Sequence, residues 1–174
     1  MSEEEIKLNF ITPALIDKGK WDKKQVRMNV YFTDGRIIVA GKTVKRGKRN
    51  FADYILEYKP NVPLAVIEAK DNNHSIGDGM QQSLEYAEKL DLHFVFSSNG
   101  DGFIFHDREA GTETSLSLDE FPTPKQLWEK YKKYRGITEK IEDTVTADYF
   151  YEPGFKQPRY YQRVAINRTI EAIV

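Results

Sequence analysis

Cysteine is absent from the 174 residues. Disulfides, thiolate metal sites and thiol nucleophiles are therefore excluded, and a reducing, cytoplasmic setting is expected. No apolar run approaches the roughly 18 residues that a membrane span needs. The opening Met1-Ser-Glu-Glu-Glu-Ile-Lys is acidic and lacks the apolar stretch of a secretory signal. An excess of one charge is lacking too: 26 Lys+Arg stand against 27 Asp+Glu, for a net charge of -1. A globally basic nucleic-acid binder is excluded; a locally basic surface is not, because the charges are unevenly spread. What is present is 40% hydrophobic and 13% aromatic residues, the profile of a folded domain.

The first segment, 3–18, reads as a helix with Ile6, Phe10, Ile11 and Ala14 at helical spacing, interrupted and restarted at Thr12-Pro13. Strands are expected over 26–32, 36–40, 51–58 and 64–70, with Asp34-Gly35 as a hairpin turn between the first two. A helix follows over 76–90, with Met80, Leu84 and Ala87 on one stripe. Two more strands, 93–98 and 102–107, flank Asn99-Gly100. A further helix runs from Pro122 to about 135, then a polar connector over 136–158 and a last helix from Tyr160. This order fits an α/β or α+β fold with a mixed central sheet flanked by helices. A helix running to the last residue suggests the N-terminal piece of a longer protein.

The run Leu64-Ala-Val-Ile-Glu-Ala-Lys70 is apolar on both faces and then ends on two charges. Period-two alternation puts Glu68 and Lys70 on one side. Such charges are costly unless paired, solvated or bound to a metal. Asp53, in the preceding strand, comes near Glu68 if the two strands pair antiparallel. Facing carboxylates repel, and a divalent cation relieves that repulsion; oxygen donors suit Mg²⁺ or Mn²⁺ rather than zinc. A lysine two residues on can orient a water or stabilise charge on a phosphate. In isolation a Glu-x-Lys is ordinarily a surface ion pair.

With Asp53 before it, Glu68-Ala-Lys70 resembles the PD-(D/E)xK nuclease motif, and Gln82-Ser-Leu-Glu-Tyr86 resembles the Gln-xxx-Tyr motif of its RecB-like branch. Glu5-Ile-Lys7 with Ile11-Thr-Pro-Ala-Leu15, Ala52-Asp-Tyr-Ile-Leu, Val66-Ile-Glu-Ala-Lys and Ser98-Asn-Gly100 fall in the order seen in type I restriction endonuclease R subunits (HsdR). Arg159-Tyr-Tyr-Gln162-Arg-Val-Ala165 resembles the helix that opens a superfamily 2 helicase motor. Ala52 replaces the proline of the motif name, and Lys7 stands where the family often has arginine.

The resemblance implies a restriction-endonuclease-like core over 1–120, a helical extension and connector over 121–158, and the start of a motor domain over 159–174. It implies Mg²⁺-dependent hydrolysis of double-stranded DNA, with Mn²⁺ as a substitute, in a complex with modification and specificity subunits. Asp53 and Glu68 would hold the metal with the Ala69 carbonyl, and Glu5 would complete the site. Lys70 would position the attacking water or stabilise the transition state. Gln82 and Tyr86 share a helix face that the wheel puts opposite Met80 and Leu84, and the family match makes them DNA-positioning residues. The basic run Lys42, Lys45, Arg46, Lys48 and Arg49 would grip phosphates. Gln162 would read the adenine of ATP in the full-length protein.

Other patterns carry less. Gly41-Lys-Thr43 imitates a phosphate loop, but five residues separate it from Gly35 where the motif has four, and no helix follows. His74, His93 and His106 are too scattered for a metal site, and Ser97-Ser98 lacks a partnering base. Two alternatives stay open: a non-catalytic DNA-binding or assembly module with a nuclease-like fold, and the nuclease domain of another helicase-nuclease such as a type III restriction or repair enzyme.

Overall fold

The computed structural model describes residues 1–33, 49–149 and 158–173 in full, and 37–40 and 43–46 as backbone strands. The chain opens with α1 (Glu3–Ile6), started by a capping box between Ser2 and Glu5. Two π-helical segments, Lys7–Ile11 and Ala14–Lys18, continue it. Pro13 was expected to interrupt this helix. It instead keeps helical dihedrals (φ -60, ψ -39) between the two wide segments. Ile6, Ile11, Ala14 and Leu15 turn inward and are buried.

Strands β1 (Val26–Thr33), β2 (Ile37–Ala40), β3 (Thr43–Arg46), β4 (Arg49–Glu57) and β5 (Pro63–Ala69) come next. Helix α2 (Met80–Leu90) crosses to β6 (Phe94–Ser98), and β7 (Phe103–Asp107) and β8 (Thr112–Leu116) follow. The main sheet has the order β1-β4-β5-β6-β7-β8. Its neighbours are antiparallel except β5 and β6, which are parallel and joined through α2. This is the expected mixed sheet with helices packed on it.

The expected hairpin of 26–32 with 36–40 does not form. β1 pairs with β4, and β2 pairs with β3 in a separate two-stranded sheet. The Asp-Gly turn signal is local, whereas pairing with β4 lets Phe32 and Val30 join a buried cluster with Ala52 and Ile55. The turn itself, Asp34-Gly35, lies outside the described residues. α2 begins at Met80 rather than Ile76, because Ser75 and Asp78 bond each other in a preceding turn. β8 went unexpected because Thr-Glu-Thr-Ser is an exposed, polar edge with no apolar alternation.

Helices α3 (Pro124–Arg135), α4 (Glu139–Val145) and α5 (Tyr160–Ile173) complete the described chain. The connector expected over 136–158 thus contains a short helix, α4. Phe121, Leu127, Trp128, Tyr131, Ile137 and Val145 belong to the same buried cluster as Tyr54, Leu64, Ile67, Phe94 and Phe96. At its centre Phe96 stacks on Phe105 at 4.6 Å between ring centroids and meets Phe121 at 4.8 Å. Trp128 stacks on Tyr58 at 4.5 Å. Phe96→Ala is expected to lower unfolding free energy by about 3–5 kcal/mol through lost burial and the cavity left behind. Thr114→Ala, on the exposed edge strand, should stay within about 0.5 kcal/mol. Urea unfolding of both variants checks the contrast.

Candidate active site

Strands β4 and β5 pair antiparallel through Tyr54↔Ile67, Ile55↔Val66 and Leu56↔Ala65. That register carries Asp53 to the Glu68–Ala69 end of β5. The Ala69 N–H donates to Asp53 Oδ2 at 2.9 Å. Along β4, Ala52 packs in the cluster of Phe32 and Tyr86, while Tyr54 packs in the other cluster. Strict alternation would put both on one face, so β4 turns over at Asp53. Asn29 lies across from it, between the pairs Met28↔Tyr54 and Val30↔Ala52, with a left-handed φ of 50.

Glu68 is 4% exposed. Its Oε1 accepts from Lys70 Nζ at 3.3 Å, and its Oε2 is buried without a hydrogen-bond partner. Burial, reinforced by the Asp53 charge and opposed by Lys70, pushes its pKa up to about 8. The start of α2 closes over it at Gly79. A Cβ at that position would lie 2.8 Å from Ser97 Oγ and 3.2 Å from Glu68 Cγ, so only glycine lets the helix approach this closely.

A polar chain leads away from Glu68. Lys70 Nζ donates to Gln82 Oε1 at 3.0 Å, and Gln82 Nε2 donates to the Tyr86 hydroxyl at 3.0 Å. Gln82 and Tyr86 therefore touch each other and the lysine, as their four-residue spacing allows. The expectation that their face lies opposite Met80 is corrected: Tyr86 is buried in the same cluster as Met80. The sheet, out to Phe32 on its edge strand β1, covers both Met80 and Tyr86, so the buried arc of α2 is wider than a single stripe. Phe32 meets the Tyr86 ring edge-on at 5.0 Å.

A second lysine enters from the N-terminal helix. Lys7 is 2% exposed. Its Nζ lies 3.0 Å from Asp53 Oδ1, 2.5 Å from Glu4 and 3.5 Å from Glu3. Burial works against its charge, but Glu4 and Asp53 outweigh burial and hold its pKa above the ordinary lysine value. Sequence reasoning treated Lys7 only as a family variant. The available signal was its spacing, three and four residues after Glu4 and Glu3, which stacks the three side chains on a helix.

The structure does not bring Glu5 to this cluster. Its exposed carboxylate accepts from the Ser2 backbone N–H at 2.7 Å and the Ser2 hydroxyl at 3.0 Å, so it caps the helix instead. Among the described residues no group of three or more His, Cys, Asp or Glu side chains is placed to hold a metal. Two carboxylates converge, Asp53 and Glu68. They fit a hard divalent cation: both are oxygen donors, and Glu68 Oε2 lacks the partner a buried carboxylate needs. In the basic run, Lys42 and Lys48 lie outside the described residues, as do the side chains of Lys45 and Arg46; Arg49 is exposed at the start of β4. Gln162 sits exposed in the first turn of α5, where its Oε1 accepts from the Arg159 N–H at 2.9 Å.

The family described as "Type I restriction enzyme R protein N terminus" matches residues 2–122. The chain belongs to this family. It is 46% identical to the type I restriction enzyme EcoAI endonuclease subunit of Escherichia coli over 99% of its own length, and spans 22% of that relative. A fragment structure assigned to an HsdR subunit of a type I restriction enzyme from Vibrio vulnificus YJ016 superposes with a TM-score of 0.84 at 36% identity. That match covers 99% of this chain and 32% of the other. No helix among the described residues of this R-protein N-terminal chain is long and apolar enough to cross a membrane.

The Glu68 pKa makes the stability of this family member pH-dependent. Its folded value, about 8, lies above the ordinary 4.5, so between these limits the native state binds more protons than the unfolded state. The contribution is fully present below pH 4.5 and is lost as pH rises towards 8. Glu68→Gln removes this dependence. The variant should therefore gain on the parent protein as pH increases across that window, by on the order of 3 kcal/mol. Thermal unfolding of both proteins between those pH values measures it; parallel melting curves would contradict the buried carboxyl.

Proposed function

We propose that this chain is the Mg²⁺-dependent endonuclease domain of a type I restriction R subunit, hydrolysing phosphodiester bonds of double-stranded DNA. One observation carries the reading: Asp53 and the buried, half-unpartnered Glu68 converge at a strand end beneath Lys70. Membership of the R-protein family, and a relative named as an endonuclease subunit, support it.

Asp53 and Glu68, with the Ala69 carbonyl, are the residues that would hold the cation. When bound, the ion supplies Lewis-acid stabilisation and a more acidic water. Lys70 presents an ammonium beside Glu68, placed to orient the attacking water or to offset charge on the phosphate. Gln82 fixes that ammonium through its amide oxygen. Lys7 holds the other Asp53 oxygen and keeps the carboxylate in place. The basic stretch Lys42, Lys45, Arg46, Lys48 and Arg49 contacts DNA phosphates without reading sequence. In the full-length protein Gln162 contacts the adenine of ATP, and the modification and specificity subunits supply target recognition.

Titration with Mn²⁺ tests the site. Asp53→Asn and Glu68→Gln should each weaken Mn²⁺ binding about tenfold or more, while Lys70→Ala leaves binding in place and abolishes cleavage by the assembled enzyme. Because Glu68 is mainly protonated at neutral pH, binding should also release close to one proton and tighten as pH rises towards 8. Calorimetry in buffers of different ionisation enthalpy measures that proton. Undiminished Mn²⁺ binding in both carboxylate variants would overturn the assignment, and cleavage surviving all three substitutions would point to a non-catalytic module.

A further inference from the structure

The carboxylate and lysine of the candidate site connect, contact by contact, to a residue far away in sequence. Tyr160, the first residue of α5, sets its ring edge-on to Phe32 at 6.0 Å between centroids. Its hydroxyl donates to the Thr33 carbonyl. Phe32, 2% exposed, meets Tyr86 edge-on at 5.0 Å and 87°. The Tyr86 hydroxyl accepts from Gln82, whose amide oxygen accepts from Lys70. Every step is a direct contact, and the intermediate rings have little room to adopt another arrangement in a close-packed cluster.

The amide is the sensitive step. The Lys70 ammonium, a donor only, takes the Gln82 amide oxygen and leaves the NH₂ facing away, and the Tyr86 hydroxyl holds the amide in that place by accepting from the NH₂. The Tyr86 ring is held in turn by Phe32. Phe32 and Tyr160 both line a cavity of about 690 Å³, where the Tyr160 ring packs edge-on against Phe32. The polar end of the chain thus depends on an aromatic stack closed by α5.

We propose that Tyr160 is a positioning residue for Lys70, acting through Phe32, Tyr86 and Gln82. The proposal rests on reading Lys70 as the catalytic lysine, but its test needs neither metal nor cleavage. Nothing in Tyr160 itself reaches the reacting atoms; through Phe32 and Tyr86 it fixes where the Gln82 amide sits and so where the ammonium is held.

The test is side-chain amide NMR of the 174-residue chain, comparing Tyr160→Ala, Tyr160→Phe and Phe32→Leu with the parent. The Gln82 NH₂ is the reporter. The Asn167 NH₂, which donates to the Asn61 carbonyl at 2.8 Å, reports whether α5 is still docked. Tyr160→Ala should shift and broaden the Gln82 resonances while those of Asn167 hold, and Tyr160→Phe, which keeps the ring, should restore them. Phe32→Leu interrupts the chain from the sheet side with the sequence of α5 unchanged, and should move Gln82 in the same way. If Tyr160→Ala also displaces Asn167, Phe32→Leu decides the matter. Gln82 resonances unmoved by Phe32→Leu, or by Tyr160→Ala with α5 docked, would overturn the proposal. In the assembled enzyme the effect should fall on the cleavage rate constant and not on Mn²⁺ affinity. Loss of Mn²⁺ binding to the parent site would instead count against the nuclease reading, whatever Gln82 does.

Discussion

A carboxyl group sealed at the end of a sheet strand, with one oxygen unmatched, is the constraint around which this molecule is arranged. Glu68 cannot ionise cheaply where it lies, because water is excluded and Asp53 is already beside it. Its surroundings are specific. Gly79 lets α2 close on it, Lys70 meets one oxygen, and the end of β5 brings the Ala69 N–H to Asp53. A buried polar atom left without a partner is rare in folded proteins and costs free energy. Here β5, α2 and the Lys70 side chain all meet at it, and the proposed site rests on that convergence.

The core explains how such a site is held rigid. β5 is buried along most of its length, between an antiparallel neighbour and a parallel one. The parallel pairing requires a crossover, and α2 provides it while delivering Gln82 and Tyr86 to the strand end. One buried cluster joins the sheet to residues as late as Val145, so the helices after Phe121 share in the same packing. Trp21 adds a direct link by donating to the Pro122 carbonyl at 2.8 Å.

Much of this was legible from the chain. The apolar run ending in Glu68 and Lys70 marked a central strand with an anomaly, and Asp53 was placed beside it by the antiparallel pairing alone. The strands and helices with a strong apolar pattern were found near their true bounds. What escaped had weak or misleading local signals. The Asp-Gly turn promised a hairpin, but burial of Phe32 against α2 drew β1 to β4. β8 and α4 are short, and β8 is polar up to its last residue, Leu116. The burial of Tyr86 escaped because a helix wheel knows one stripe, whereas the sheet out to Phe32 covers a wider arc of α2. Glu5 sat in a resembling motif, yet its carboxylate is taken by the Ser2 cap; Lys7, two residues later, is the group that turns inward. A helical wheel cannot anticipate the π-helical segment that begins at Lys7.

The position of that lysine has a consequence for how the protein comes to exist. Many small metal-dependent domains stay unfolded until their ion arrives, because the free energy of binding it is what folds them. In this chain an ammonium already sits against Asp53, and Glu3 and Glu4 balance it from the other side. The acidic pocket therefore carries its own internal counter-ion from the moment the sheet forms. On the proposed reading, folding does not wait for the cation, because Lys7 already offsets the Asp53 charge.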